Sequence, residues 1–165
     1  MDAETTDVRD SSRGFLVWLV VIASVVGGLI GIGVIAWLLL QNDLVVALFL
    51  VPFALLYGFG VYTGVRLFQD VSVRHLRLAR RFWLVQVPTF SVPWFSYYFG
   101  AGGLLLLQWL PPANFNFLWF IGSKFNVDLR FGGNEPLPCM IGINVVALVI
   151  WKALGRRLEA IQNEG

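Results

Sequence analysis

Long apolar runs separated by short polar segments dominate this chain. Uncharged stretches cover residues 15–40, 44–65 and 82–110, and a shorter apolar run covers 137–154. A helix needs about 20 apolar residues to cross the hydrocarbon core of a bilayer. The pattern therefore predicts an all-α membrane protein, folded as one domain over residues 1–165. Its four transmembrane helices are expected at about 15–40, 44–65, 84–108 and 137–154.

Prolines set the third predicted span apart from the others. Pro88 and Pro93 lie inside this run, and Pro111 follows it directly. Each proline removes a backbone donor and clashes with the preceding turn of a helix. We therefore expect the third transmembrane helix to be kinked.

The segment between the last two spans, residues 111–136, carries the pattern of a β-hairpin. Apolar and polar residues alternate from Phe125 onward, an aromatic run covers 114–121, and Gly122-Ser123 between them suits a tight turn. Pairing across this turn predicts a small hairpin over 114–131 outside the membrane. One apolar face of it would need cover from the helices, from lipid or from a partner, and that face consists of Leu118, Phe120, Phe125, Val127, Leu129 and Phe131.

The distribution of Lys and Arg predicts the orientation. With four spans, ten of the twelve basic residues lie in the tail 1–13, the loop 66–82 and the C-terminus, and only Lys124 and Arg130 lie on the other side. Loops rich in Lys and Arg stay in the cytoplasm. The prediction is a multi-pass protein of the cell inner membrane with both termini cytoplasmic and the segment 111–136 outside.

Small residues recur at helical spacing in the first two spans. Such rows let helix backbones approach closely within a membrane. We expect the two spans to pack on each other, with a homo-oligomer interface as the alternative. The predicted packing residues are Ala23, Gly27, Gly31, Ala54, Gly58, Gly60 and Gly64. Asn144 joins them, because an amide in the middle of a transmembrane helix usually bonds to another helix.

Composition narrows the range of functions. Hydrophobic residues make up 58% of the chain and charged residues 13%, which leaves no room for a soluble catalytic domain. His75 and Cys139 are single residues of their kind, so no histidine or cysteine metal site is expected. The apolar cores carry no Asp, Glu or Arg of the kind that proton-coupled carriers use. We expect no cofactor, no metal and no catalytic residue.

A cluster of arginines follows the second span. Arg74, Arg77, Arg80 and Arg81 lie among apolar residues in the segment 66–82. Basic residues next to a membrane span attract anionic lipid headgroups. They are predicted to contact headgroups rather than nucleic acid, with a cytoplasmic partner as the alternative.

Three hypotheses of function follow. The first is a non-enzymatic accessory or interaction subunit that acts through helix packing and its outer hairpin, with a membrane protein or a second copy as partner. The second is a small channel or carrier for a small solute. The third is a lipid-modifying enzyme that uses Asp70 and His75 near headgroups. Nothing in these motifs indicates a known family.

Overall fold

The computed structural model describes residues 14–41, 44–129 and 137–163. Within these ranges the chain forms four helices and a six-stranded sheet. The helices are α1 (Phe15–Gln41), α2 (Leu44–Gln69), α3 (Val73–Val85) and α4 (Val145–Asn163). The strands are β1 (Pro88–Val92), β2 (Phe95–Gly100), β3 (Gly103–Leu110), β4 (Asn114–Ile121), β5 (Lys124–Leu129) and β6 (Met140–Asn144).

Helices α1 and α2 pack as an antiparallel pair through glycines. A Cβ on Gly28 would lie 2.8 Å from the Tyr57 carbonyl oxygen, and a Cβ on Gly64 would lie 2.7 Å from a Val25 methyl group. Such close approach is possible only without side chains at these positions. Both α1 and the 47–69 part of α2 are long and apolar enough to cross a membrane.

Helix α3 packs on α2 and α4. Ser72 caps it by accepting a hydrogen bond from the His75 backbone N–H at 3.4 Å. Its buried residues Leu76, Ala79, Phe82 and Trp83 follow helical spacing, so they form one face. Phe82 from this face packs on α2 at Gly60.

The six strands form one antiparallel sheet in the order β4-β3-β6-β1-β2-β5. Strands β4 and β5 lie at opposite edges, yet only residues 122 and 123 join them. The sheet must therefore curl until its two edges meet at this end. The Gly122 N–H donates to the Gly102 carbonyl at 3.3 Å, which ties the β4–β5 turn to the β2–β3 turn.

The two faces of the sheet differ in chemistry. Directly opposed residues of antiparallel strands share a face, so the register assigns each side chain. One face is apolar on every strand, from Trp119 and Phe117 on β4 to Tyr97 and Phe99 on β2. The other face, the polar face, carries Thr89, Ser91, Ser96, Gln108, Asn116 and Asn126 together with several leucines.

Aromatic contacts join the sheet to the helix pair. The Phe53 ring of α2 stacks on Phe125 with ring centroids 4.8 Å apart, and Tyr57 lies 4.8 Å from Phe99. The two turns of the sheet rest on α1, where the Ser123 hydroxyl donates to the Gly27 carbonyl. The core of the protein thus lies between α1, α2, α3, α4 and this end of the sheet.

The expected all-α fold with four transmembrane helices is wrong. The third predicted span, 84–108, ends α3 and then forms β1, β2 and most of β3. Pro88 begins β1, and Pro93 lies in the turn before β2, where neither needs to donate a hydrogen bond within a helix. The run resembles a transmembrane helix because one face of the sheet is apolar on every strand. This hides the alternation of apolar and polar side chains that marks a strand.

The fourth predicted span, 137–154, is also wrong. Its first half contains β6, and helix α4 begins only at Val145 and continues past the expected end to Asn163. Asn144 consequently ends a strand and does not lie within a helix. Only ten residues of the predicted span are helical, which is too short for a crossing.

The predicted outer hairpin is wrong in its pairing. Strands form over 114–121 and 124–129, but β4 pairs with β3 and β5 pairs with β2. The turn at 122–123 links the two edges of the sheet and closes no hairpin. Phe131 from the predicted apolar face lies outside the described residues, as does the tail 1–13.

Candidate functional site

Strand β4 is the most exposed apolar element of the described chain. Every one of its eight side chains is exposed, among them Phe115 at 74%, Trp119 at 69% and Ile121 at 79%. The neighbouring strands extend this surface with Trp109 and Ile141. Contiguous apolar patches of this kind mark sites where a protein meets lipid or another protein. We call this surface, which β3, β4 and β6 form, the exposed apolar face.

The outer edge of β4 is unpaired within the sheet. Its sequence, from Asn114 to Ile121, contains no charge, proline or glycine. Soluble proteins usually protect such edges with charged side chains or proline, because free N–H and C=O groups can pair with another strand. Strand β5 at the opposite edge carries Lys124 and Asp128. The two edge strands of the described sheet therefore differ in charge, and β4 is the uncharged one.

The polar face forms hydrogen bonds along rows that cross the strands. The Asn126 amide donates to the Ser96 hydroxyl at 2.8 Å, and the Asn116 amide donates to Gln108 at 3.4 Å. Gly142 lies between Gln108 and Thr89, where a Cβ would come within 2.7 Å of the Thr89 hydroxyl oxygen. That hydroxyl is buried and has no partner. The face thus combines neutral hydrogen-bonding groups in its middle with the charged Lys124 and Asp128 on β5.

Two amides lie at the end of this face nearest the helices. The Asn144 carbonyl oxygen accepts from the Leu105 N–H at 3.2 Å and from the Ala147 N–H at 3.4 Å, so it caps α4 and fixes β3. The Gln86 carbonyl oxygen accepts from the Ala101 N–H at 2.7 Å. Both amide nitrogens are buried without partners. An unpaired buried donor is costly, so a hydrogen-bond acceptor at this place would be stabilised.

The predicted packing residues have several kinds of neighbour. Gly31 lies against the Tyr57 ring, Gly27 and Ala23 lie against the β2–β3 turn, and Gly60 lies against Phe82. Ala54 is partly buried in the core. Gly64 contacts α1, whereas a Cβ on Gly58 would meet nothing within 4 Å. These contacts are intramolecular, and several of them join α1 and α2 to the sheet or to α3.

The four predicted headgroup arginines do not share one environment. Arg74, Arg77 and Arg81 are exposed on α3. Arg80 is half-buried, and its guanidinium lies over the Trp151 ring of α4 at 4.7 Å from the centroid. Arg80 therefore joins α3 to α4, and the other three are free to meet solvent or headgroups.

Asp70 and His75 are brought together by local structure. The His75 Nδ1 atom lies 3.5 Å from an Asp70 carboxylate oxygen, 3.0 Å from the Asp70 carbonyl oxygen and 3.0 Å from the Ser72 hydroxyl oxygen. All three neighbours belong to the turn that begins α3. No group of three His, Cys, Asp or Glu side chains capable of holding a metal occurs among the described residues.

Tyr97 holds the sheet to the end of α3. Its hydroxyl donates to the Val85 carbonyl at 3.2 Å. Burial raises the pKa of Tyr97 to about 12. The side chain therefore stays a neutral hydrogen-bond donor near neutral pH, which suits a structural link and not acid–base chemistry.

The polar face was missed by the sequence reasoning, although signals for it exist. Thr89 and Ser91 alternate with Phe90 and Val92, and Asn114 and Asn116 alternate with Phe115 and Phe117. Each alternation covers only four residues. The first lies inside the long apolar run 82–110, where it is too short to outweigh the prediction of a span, and the second lies in the predicted hairpin, whose expected pairing differs from the observed one.

Comparison of the chain with protein-family models, with curated proteins and with solved structures gives no match.

Proposed function

We propose that this protein is a non-enzymatic, membrane-anchored assembly protein that associates with a second copy of itself through β4. The observation that carries the proposal is that β4 is exposed along its whole length, uncharged and unpaired at its outer edge. Helices α1 and α2 serve as the anchor.

The charge distribution supports an anchor of two spans. All twelve Lys and Arg residues lie before Phe15 or from Arg66 onward, and the connection at 42–43 contains none. Segments rich in Lys and Arg remain in the cytoplasm. We therefore infer a two-span protein of the inner membrane with both ends in the cytoplasm.

The position of the sheet along α1 supports a partner for β4. The β2–β3 turn contacts α1 at Ala23 and Gly27, which lie about 12 and 18 Å along the axis from Phe15. If α1 spans the bilayer, this end of the sheet lies at bilayer depth. Hydrocarbon cannot satisfy free backbone groups, so an unpaired strand edge there needs a protein partner.

The pattern of β4 suits a copy of itself. A two-fold axis perpendicular to the sheet pairs β4 with its copy in antiparallel register and keeps both exposed apolar faces on the same side. In that register, directly opposed residues of the two β4 strands have their side chains on the same face of the joined sheet. Because β4 carries no charge, the pairing brings no like charges together.

A cysteine scan tests this pairing. In a Cys139→Ser background, single cysteines at positions 115 to 120 are oxidised in the membrane, and dimers are measured on gels. Only the residue on the two-fold axis faces its own copy, at a Cα separation of about 4.5–5.5 Å that a disulfide can bridge. We expect the yield of disulfide-linked dimer to peak at one position within β4. Leu29→Cys, at an exposed position of α1, should form no dimer.

A lysine placed in β4 tests the same interface, and a lysine placed on α4 is its matched control. Phe117→Lys should lower the dimer fraction about tenfold or more, because each dimer would bury two lysines without partners in an apolar interface. Val149→Lys, at an equally exposed apolar position of α4, should leave it unchanged. A flat cysteine profile together with a monomeric wild-type protein would contradict the proposal.

The polar face supports a second candidate function, a small channel or carrier. Its buried neutral groups resemble the lining of a path for an uncharged solute. In vesicles containing the full chain, glycerol permeability measured by light scattering should exceed that of empty vesicles and fall in Gln108→Leu but not in Asn114→Leu. Equal permeability of loaded and empty vesicles would remove this candidate. The lipid-modifying hypothesis stays a prediction.

A further inference from the structure

An apolar groove of about 430 Å³ runs between α1 and α4. Phe15, Trp18 and Ile22 of α1 form one wall, Ile150 of α4 forms the other, and Trp83 and Gly103 close its inner end. Phe15 is 83% exposed and Trp18 is 42% exposed, so the groove is open along α1. Its volume lies within the range of about 300–1,000 Å³ that small-molecule sites occupy.

The Arg157 guanidinium lies beside Gly14, next to the Phe15 end of this groove. A Cβ on Gly14 would lie 3.3 Å from the Nη1 atom of Arg157, and Gly14 precedes the groove residue Phe15. Val146, Ile150 and Arg157 share one side of α4, since their spacing of 4 and 7 residues is close to one and two helical turns. The guanidinium therefore lies on the groove side of α4 and beside the residue that precedes Phe15.

Arg157 has no carboxylate partner among the described residues, whereas His75 lies beside the Asp70 carboxylate. A half-buried guanidinium without a counter-ion favours an anion, since charge-assisted hydrogen bonds are the stronger ones. The apolar walls next to it favour an acyl chain. The two requirements together describe an amphiphile with an anionic head and an apolar tail.

We infer that the α1–α4 groove binds an anionic phospholipid, with an acyl chain along Trp18 and Ile22 and the phosphate on Arg157. This site is more specific than general attraction of headgroups to a basic segment, because one arginine and one groove define it. The inference rests on the membrane anchor proposed above and is independent of the pairing of β4.

Lipid titration of the purified full chain, followed by native mass spectrometry in mild detergent, tests the site. The probes are phosphatidylglycerol and phosphatidylcholine with identical acyl chains. Wild-type protein should bind phosphatidylglycerol about tenfold more tightly, because the choline cation of phosphatidylcholine offsets the negative charge of the phosphate that Arg157 contacts. Arg157→Gln should remove this preference. Arg156→Gln, which removes the same charge from an exposed neighbouring position, should keep it.

A second pair of variants tests the groove itself. At Gly103 a Cβ would meet only a Val146 methyl group at 3.7 Å, so Gly103→Leu fills the groove without a backbone clash. It should weaken binding of both lipids about tenfold. Gly33→Leu adds the same side chain where nothing lies within 4 Å and should change neither.

Equal phosphatidylglycerol binding by Arg157→Gln and Arg156→Gln would overturn the inference, and so would unchanged binding by Gly103→Leu. Arg157→Lys retains the charge and should keep part of the preference, which separates loss of the cation from misfolding. Neither result depends on the dimer assay, so failure of the lipid site and failure of the β4 interface are distinguishable.

Discussion

The Gly27→Ala variant is expected to lose about 2 kcal/mol of unfolding free energy, although alanine is the better helix former. A Cβ on Gly27 would clash with the backbone N of Gly102 and would lie 2.8 Å from the Ala101 carbonyl carbon. Backbone atoms cannot move aside as a side chain can. The turn would have to leave α1, and the hydrogen bond from Ser123 to the Gly27 carbonyl would be lost with it.

Gly33→Ala is the matched control for this prediction, because it lies on the same helix with nothing within 4 Å of an added Cβ. It should gain up to about 1 kcal/mol from helix propensity. Chemical unfolding of both variants in mild detergent, followed by circular dichroism, measures the difference. Similar stability of the two variants would show that the sheet does not rest on α1 at Gly27.

The Phe99→Ala variant should lose about 3–5 kcal/mol of unfolding free energy, as large core truncations do. Phe99 is fully buried on β2, and its ring lies 4.8 Å from that of Tyr57, 6.2 Å from that of Phe53 and 6.3 Å from that of Phe82. It therefore joins the sheet to both α2 and α3. Removing the ring leaves a cavity where three elements meet.

Phe117→Ala is the control on the same face of the sheet. Phe117 is 61% exposed and lies on β4, away from the helices. In dilute detergent, where the protein is monomeric, its unfolding free energy should stay within about 0.5 kcal/mol of the wild type. A loss at Phe117 as large as that at Phe99 would mean that the exposed apolar face already has cover inside the monomer.

Several elements could be predicted from local sequence. Residues 15–40 and 44–65 were expected to be apolar helices, and α1 and α2 occupy these positions. The strands over 114–121 and 124–129 follow from local alternation and from the turn residues Gly122 and Ser123. These features depend on propensity and spacing within a few residues of chain, which a single sequence records directly.

The third and fourth spans could not be corrected by the same reasoning. Strands β2 and β3 contain runs such as Gly103–Leu110 that are as apolar as a transmembrane helix. Length and hydropathy alone do not separate a buried helix from two strands of a sheet with an apolar face. Pro88 and Pro93 disfavour a straight helix here, but prolines also fit a kinked transmembrane helix, so they do not decide between the two structures.

The sequence by itself determined where apolar helices and strands form, because side-chain volume and local hydrogen bonding act within each segment. Only the tertiary structure decided that β4 and β5 lie at opposite edges of the sheet. It also decided that the β2–β3 and β4–β5 turns pack on α1 at Gly27. Strand pairing joins residues far apart in the chain, and the free energy of each pairing depends on which competing partners exist. The open edge of β4 and the groove beside Arg157 result from contacts between distant segments, so no local sequence pattern predicts them.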